Sequence, residues 1–74
     1  MTNILYVVCV EDKNNDIVRF AYGGGSSSAA YIMAFEDESS AIRSKASLRK
    51  HSLKDGETFA IRPFKEVLTW LTYS

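Results

Sequence analysis

Seven consecutive apolar residues, Ile4-Leu5-Tyr6-Val7-Val8-Cys9-Val10, stand near the start of this 74-residue chain. Most are β-branched or aromatic and favour an extended backbone. A period of two puts Ile4, Tyr6, Val8 and Val10 on one face and Leu5, Val7 and Cys9 on the other. Both faces are apolar, so the segment reads as a central strand in a sheet covered on both sides. The rest of the chain must supply that cover, and a chain this short buries only about 60% of the surface its unfolded form exposes. One small domain, residues 1–74, is expected.

Glu11 to Asp16, EDKNND, is a turn cluster, and Ile17 to Tyr22 alternates again, with Val18, Phe20 and Tyr22 opposing Ile17, Arg19 and Ala21. The two strands read as a hairpin. After Gly23, Gly24, Gly25, Ser26, Ser27 and Ser28 comes a third strand, Ala30 to Phe35. Asp37 then offers an N-cap, with Glu36 and Glu38 matched to the positive end of a helix dipole and Arg49, Lys50 and His51 to the negative end. This predicts a helix from Glu38 to His51 whose inner arc holds Ile42, Ala46 and Leu53. Lys54, Asp55 and Gly56 form a turn, Glu57 to Arg62 a fourth strand, and Pro63 to Tyr73 a terminal helix with a stripe of Phe64, Val67, Leu68 and Leu71. The fold class is therefore α+β: a small, mainly antiparallel four-stranded sheet with two helices, in the order β-β-β-α-β-α. If both helices pack on one face, the other face needs a partner, another protein or a second copy in a homodimer.

Nine basic and nine acidic residues cancel, which argues against a dedicated polyanion binder. The balance hides an asymmetry, because residues 1–40 hold six acids and two bases, whereas 41–74 hold three acids and seven bases. Within RSKASLRKHSLK, Arg43, Lys45, Arg49, Lys50, His51 and Lys54 stand without one acid. Trp70 and Tyr73 fall outside the apolar stripe of the terminal helix, and both side chains are enriched at binding hot spots. These positions, Trp70, Tyr73, Arg43, Lys45, Arg49 and Lys50, are the candidate partner-binding residues.

Several chemistries are argued against. Cys9 is the sole cysteine, so there is no internal disulfide; with only His51 beside it there is no ligand set for a structural zinc, and a reducing, cytoplasmic setting fits. The N-terminus has no basic leader, and its apolar run is far below the roughly 20 residues of a spanning helix. Neither a signal peptide nor a membrane partner is expected. The glycines at 23–25 lead into serines and a strand, with no helix N-terminus or lysine to grip a phosphate. They read as a slack connection that either stays passive or orders on a partner. Catalysis would need positioned acids, bases or nucleophiles, whereas Cys9 lies mid-strand, His51 at a helix end, and Glu36, Asp37 and Glu38 diverge around a helix start. No catalytic residue, cofactor or metal is specified.

Two functional readings follow. The first is a non-enzymatic protein-interaction or regulatory module, such as a virus-encoded modulator of a host complex. The alternative is a nucleic-acid-associated protein that meets phosphates with residues 43–54, with Tyr22 and Tyr31 beside the Gly/Ser connection.

Overall fold

A computed structural model describes residues 4–23 and 31–73 of the chain. Strands β1 (Tyr6–Glu11), β2 (Ile17–Phe20), β3 (Tyr22–Gly23), β4 (Tyr31–Ile32) and β5 (Ala34–Phe35) are followed by helix α1 (Glu38–Ala46) and a 3-10 turn at Lys50–Ser52. Strand β6 (Thr58–Pro63) and helix α2 (Phe64–Tyr73) complete the chain. β1, β2, β5 and β6 form a four-stranded antiparallel sheet, and β3 with β4 forms a separate ribbon. This is the small α+β fold, in the β-β-β-α-β-α order, that the sequence pattern predicts.

β1 is the central strand. One edge pairs with β6 throughout, from Tyr6 opposite Pro63 to Glu11 opposite Thr58. The other edge is shared, with β2 along its C-terminal half and β5 along its N-terminal half. Val8 is the junction: its N–H donates to the Met33 carbonyl at 3.1 Å and its C=O accepts from the Ala21 N–H at 3.2 Å. The chain leaves the sheet after Ala21 as β3 and returns through β4 to Met33, so the expected second and third strands are each broken once. Gly23 ends β3, whereas Gly24, Gly25, Ser26, Ser27, Ser28 and the expected strand start at Ala30 lie outside the described residues.

The two faces of β1 carry different cores. Val7 and Cys9 cluster with Ile17 and with Val67 of α2, flanked by Phe20, Ala60 and Trp70. Val8 and Val10 cluster with Ala21 and Met33, flanked by Phe35, Phe59, Ile61 and the two leucines that follow α1, Leu48 and Leu53. One helix therefore serves each face, with α1 against β1, β5 and β6 and α2 against β1 and β6. That arrangement removes the case for a partner on a bare sheet face.

Local chemistry explains the elements. Between β1 and β2 the Asp12 carboxylate accepts from the N–H groups of Asn14 (2.8 Å) and Asp16 (3.1 Å), and Asn15 takes a left-handed φ of 64°. Asparagine tolerates that conformation better than most residues. A bulge follows, because Val10 pairs with Arg19 but Glu11 with Ile17. It carries Ile17 onto the same face as Phe20 and leaves Val18 exposed, which corrects the strict alternation expected for this strand. Asp37 is the N-cap of α1, accepting from Ser39 N–H at 3.1 Å and Ser40 N–H at 3.3 Å, with the Ser40 hydroxyl donating to the same carboxylate.

α1 ends at Ala46, five residues before the expected end at His51. Ser47 closes it, its N–H and hydroxyl both donating to the Ser44 carbonyl. Unwinding there lets Leu48 and Leu53 turn back onto the sheet, which a continuous helix would prevent. The inward residue of α1 is Ala41, fully buried, whereas Ile42 is 52% exposed, so the predicted inner arc is rotated. Pro63 also departs from expectation, since it is the last residue of β6 rather than the first of the helix, and the Phe64 N–H still donates to the Leu5 carbonyl at 2.8 Å. Proline fits there because its nitrogen points away from β1.

Candidate functional site

The larger concavity is a cleft of about 690 Å³ beside α1, between the β2–β3 edge and the segment that follows the helix. Val10, Ala21, Leu48 and Phe59 supply apolar walls; Arg19, Arg49 and His51 supply basic groups, and Ser47, Ser52 and Tyr22 supply hydroxyls. Among the described residues no carboxylate lines it. The volume lies within the range of ordinary ligand clefts.

Each wall has a local cause. The early end of α1 swings residues 47–52 outward over Val10 and Phe59, and the departure of β3 at Ala21 leaves Tyr22 at the rim, 56% exposed. Arg19 is held in place by a two-pronged pair with Glu57, at 2.9 and 2.8 Å, and by a bond of 3.0 Å to the Ser52 carbonyl. The Glu57 carboxylate also accepts from the Lys54 N–H at 2.8 Å. The Arg19 hydrogen bonds, followed by that backbone bond, pull the Glu57 carboxyl from 4.5 down to about 2, and Arg19 is in turn held more firmly protonated. The charge of Arg19 is thus largely answered by Glu57. Arg49 remains to meet a ligand's negative charge, with the His51 ring beside it in the lining.

A second, shallower cleft of about 460 Å³ lies on the α2 side, lined by Asn15, Asp16, Ile17, Arg62, Glu66, Thr69 and Trp70. Its centre is Arg62, which donates to Glu11 at 2.5 Å, to Glu66 at 2.8 Å and to the Asn15 carbonyl at 2.6 Å. Glu11 is only 7% exposed and also accepts from the Asn15 side chain at 3.3 Å. Arg62 is paired with both Glu11 and Glu66, so the cluster ties the β1–β2 turn to β6 and α2. Beside it Cys9 is fully buried, and burial first, with the Glu11 charge second, pushes its thiol up from 9.0 to about 11. Such a thiol is a poor nucleophile at neutral pH.

The candidate residues from the sequence fall in different places. Arg49 lines the α1-side cleft, and Lys50 is exposed next to it. Arg43 and Lys45 sit on the last turn of α1, outside the cleft lining. Trp70 packs edge-on against Phe20, with ring centroids 5.6 Å apart and planes at 84°, on the opposite face of the sheet. Tyr73 is 85% exposed at the end of α2. The stripe on α2 is divided: Val67 is buried, while Phe64, Leu68 and Leu71 face outward in part. Tyr22 and His51, which the sequence offers only under the nucleic-acid alternative, also line the cleft, and Arg19 and Phe59 join it with no role predicted for them. A signal for Arg19 was present, since it is one of only two bases in residues 1–40 and stands inside an apolar strand.

Comparison of this chain with protein-family models, with curated proteins and with solved structures returns no match. Among the described residues no helix is long and apolar enough to cross a membrane, and no group of three metal-ligating side chains gathers.

Proposed function

We propose that the protein is a non-enzymatic interaction module that holds a short acidic peptide segment, anchored by an apolar side chain, in the α1-side cleft. The observation that carries this reading is the lining itself: apolar walls from Val10, Leu48 and Phe59 beside Arg49 and His51, with no carboxylate among the described lining residues and the nearby Glu57 charge answered by Arg19. Apolar walls give affinity and a few polar groups give orientation, the usual division of labour in such sites. Lys50 next to the rim, and Arg43 and Lys45 on α1, widen the basic field that steers an acidic partner inward. Tyr73 belongs to a separate surface, on α2.

The test is fluorescence anisotropy with a labelled twelve-residue peptide of alternating Glu and Leu, its Lys-for-Glu counterpart, and a thymidine oligonucleotide of the same length. The proposal expects selective binding of the acidic peptide, weakened about tenfold by Arg49→Glu, a loss of about 1.4 kcal/mol. Equal binding of both peptides, or indifference to Arg49→Glu, would sink it. One observation favours nucleic acid instead: Tyr22 is exposed beside Arg49 and His51, an arrangement that suits base stacking next to phosphate contacts. Preference for the oligonucleotide, falling steeply with salt and lost in Tyr22→Ala, would select that second reading.

A further inference from the structure

β6 is an outer strand of the sheet, and among the described residues only β1 pairs with it. The far edge of β1 reveals which backbone groups of β6 are already used. Val8 gives its N–H to Met33 and its C=O to Ala21, both away from β6. Its neighbour across the strands, Ile61, therefore stands in a non-hydrogen-bonded pair. The Phe64 N–H bond to Leu5 gives the same phase from the end of the strand, so Thr58, Ala60 and Arg62 bond inward to β1. Phe59 and Ile61 turn their N–H and C=O groups outward. Pro63 does so as well, but it has no N–H.

Natural edge strands are usually guarded by charges, bulges or a covering element. The register of β6 on β1 runs through all six residues without a bulge. The only charged residue, Arg62, is drawn back to Glu11, Glu66 and Asn15. Within β6, Pro63 limits the edge, and only at its end.

We propose that β6 is a self-pairing edge, through which two copies of this chain join their sheets antiparallel, with Ala60 facing the partner's Ala60. A two-fold axis normal to the sheet keeps each residue on its own face, so the centre must fall on a residue and not between two. Centring on Ile61 sets Phe59 against the partner's Pro63 and leaves carbonyls without donors. Centring on Ala60 sets Phe59 against the partner's Ile61, and the reverse, so every outward N–H finds a carbonyl. It also creates aromatic to β-branched pairs on one face, a favourable cross-strand combination. A second copy fits this edge because the pattern of donors, acceptors and side chains is complementary to itself. The formal net charge of +0 at pH 7 sets up no overall repulsion between copies. The pairing holds whether or not the cleft binds a peptide, and it leaves the two α1-side clefts on the same face of one continuous sheet.

Sedimentation equilibrium over a concentration series tests it, with three variants. The wild type is expected to dimerise reversibly. Thr58→Lys, at an exposed position that pairing places opposite the partner's Arg62, adds a like-charge pair at each end and raises the dissociation constant about tenfold. Ile61→Pro removes an outward N–H without touching the β1 ladder, and is expected to give a folded monomer by circular dichroism; Thr58→Lys serves should that variant fail to fold. Ala60→Cys in a Cys9→Ala background is expected to form an intermolecular disulfide under mild oxidation, since the facing Cα atoms of a non-hydrogen-bonded pair lie within disulfide reach. A wild type that stays monomeric up to about 1 mM overturns the proposal and leaves the edge to a strand of another protein. A dimer indifferent to Thr58→Lys, or one that fails to cross-link through residue 60, overturns it as well.

Discussion

The two faces of the sheet are closed by helices of unlike quality. On one, α2 presses Val67 and Trp70 onto Val7, Cys9, Ile17 and Phe20, and Arg62 locks the rim through Glu11 and Glu66. On the other, α1 buries only Ala41, and the apolar cover comes from Leu48 and Leu53 beyond the helix. The first face is closed by large side chains and keeps only the shallower cleft around the paired Arg62, whereas the second is closed by a loop and keeps the larger, apolar-walled one. A central strand apolar on both sides thus demands two covers, and the weaker cover leaves the larger of the two clefts.

The sharpest way to break that contrast is to truncate one aromatic. Trp70→Ala should cost about 3 kcal/mol in chemical denaturation, because it removes the largest side chain from the α2 face and its edge-on contact with Phe20. Leu48→Ala, on the loop-closed face, should cost about half of that. Equal losses would mean that both faces are sealed alike. Next in size comes Arg62→Ala, expected to cost about 2 kcal/mol, since nearly buried Glu11 loses its cation. Adding Glu11→Gln to that variant should recover part of the loss, and a double variant no more stable than the single one would refute the charge argument.

Smaller effects belong to the α1 side. Gly56 turns the chain toward Glu57 with a φ of +83°, and an added Cβ would meet only Lys13 Cβ at 3.6 Å. Gly56→Ala should therefore cost about 1 kcal/mol from backbone strain alone, read from the shift in denaturation midpoint. The Arg19–Glu57 pair gives the smallest effect, visible through pH. Because the folded carboxyl is held down at about 2 and its ordinary value is 4.5, its stabilisation is complete above 4.5 and is lost as pH falls from there toward 2. The melting-temperature gap between wild type and Glu57→Gln should shrink across that window; a gap independent of pH would remove Glu57 from the account.

Much of this architecture was legible in the residues, for reasons that are local. The two-faced run at Ile4–Val10 announced the central strand, EDKNND the turn and Asp37 the helix start, because each depends on neighbours in the chain. What escaped depends on distant ones. The bulge that turns Ile17 inward, the halt of α1 at Ala46 and the inward aim of Trp70 are set by which side chain finds space against the sheet. The spacing on α2 predicts an apolar stripe, yet tertiary packing buries only its edge, Val67, and adds Trp70 beyond it. The candidate cleft is half visible: Arg49 lies in an obvious basic run, while Phe59 meets it because α1 ends early and Tyr22 because β3 peels away from the sheet.

Val8 carries a further consequence. Its two backbone groups hold both ends of the excursion that begins after Ala21 and returns at Met33. Once both ends are fastened to one residue, the length of chain between them matters little to the remainder, each doubling costing only about 0.6 kcal/mol in closure entropy. The two anchor bonds make a socket of the site, and a two-residue Asn-Gly turn in place of residues 23–28 is expected to leave stability similar or improved, read from the denaturation midpoint.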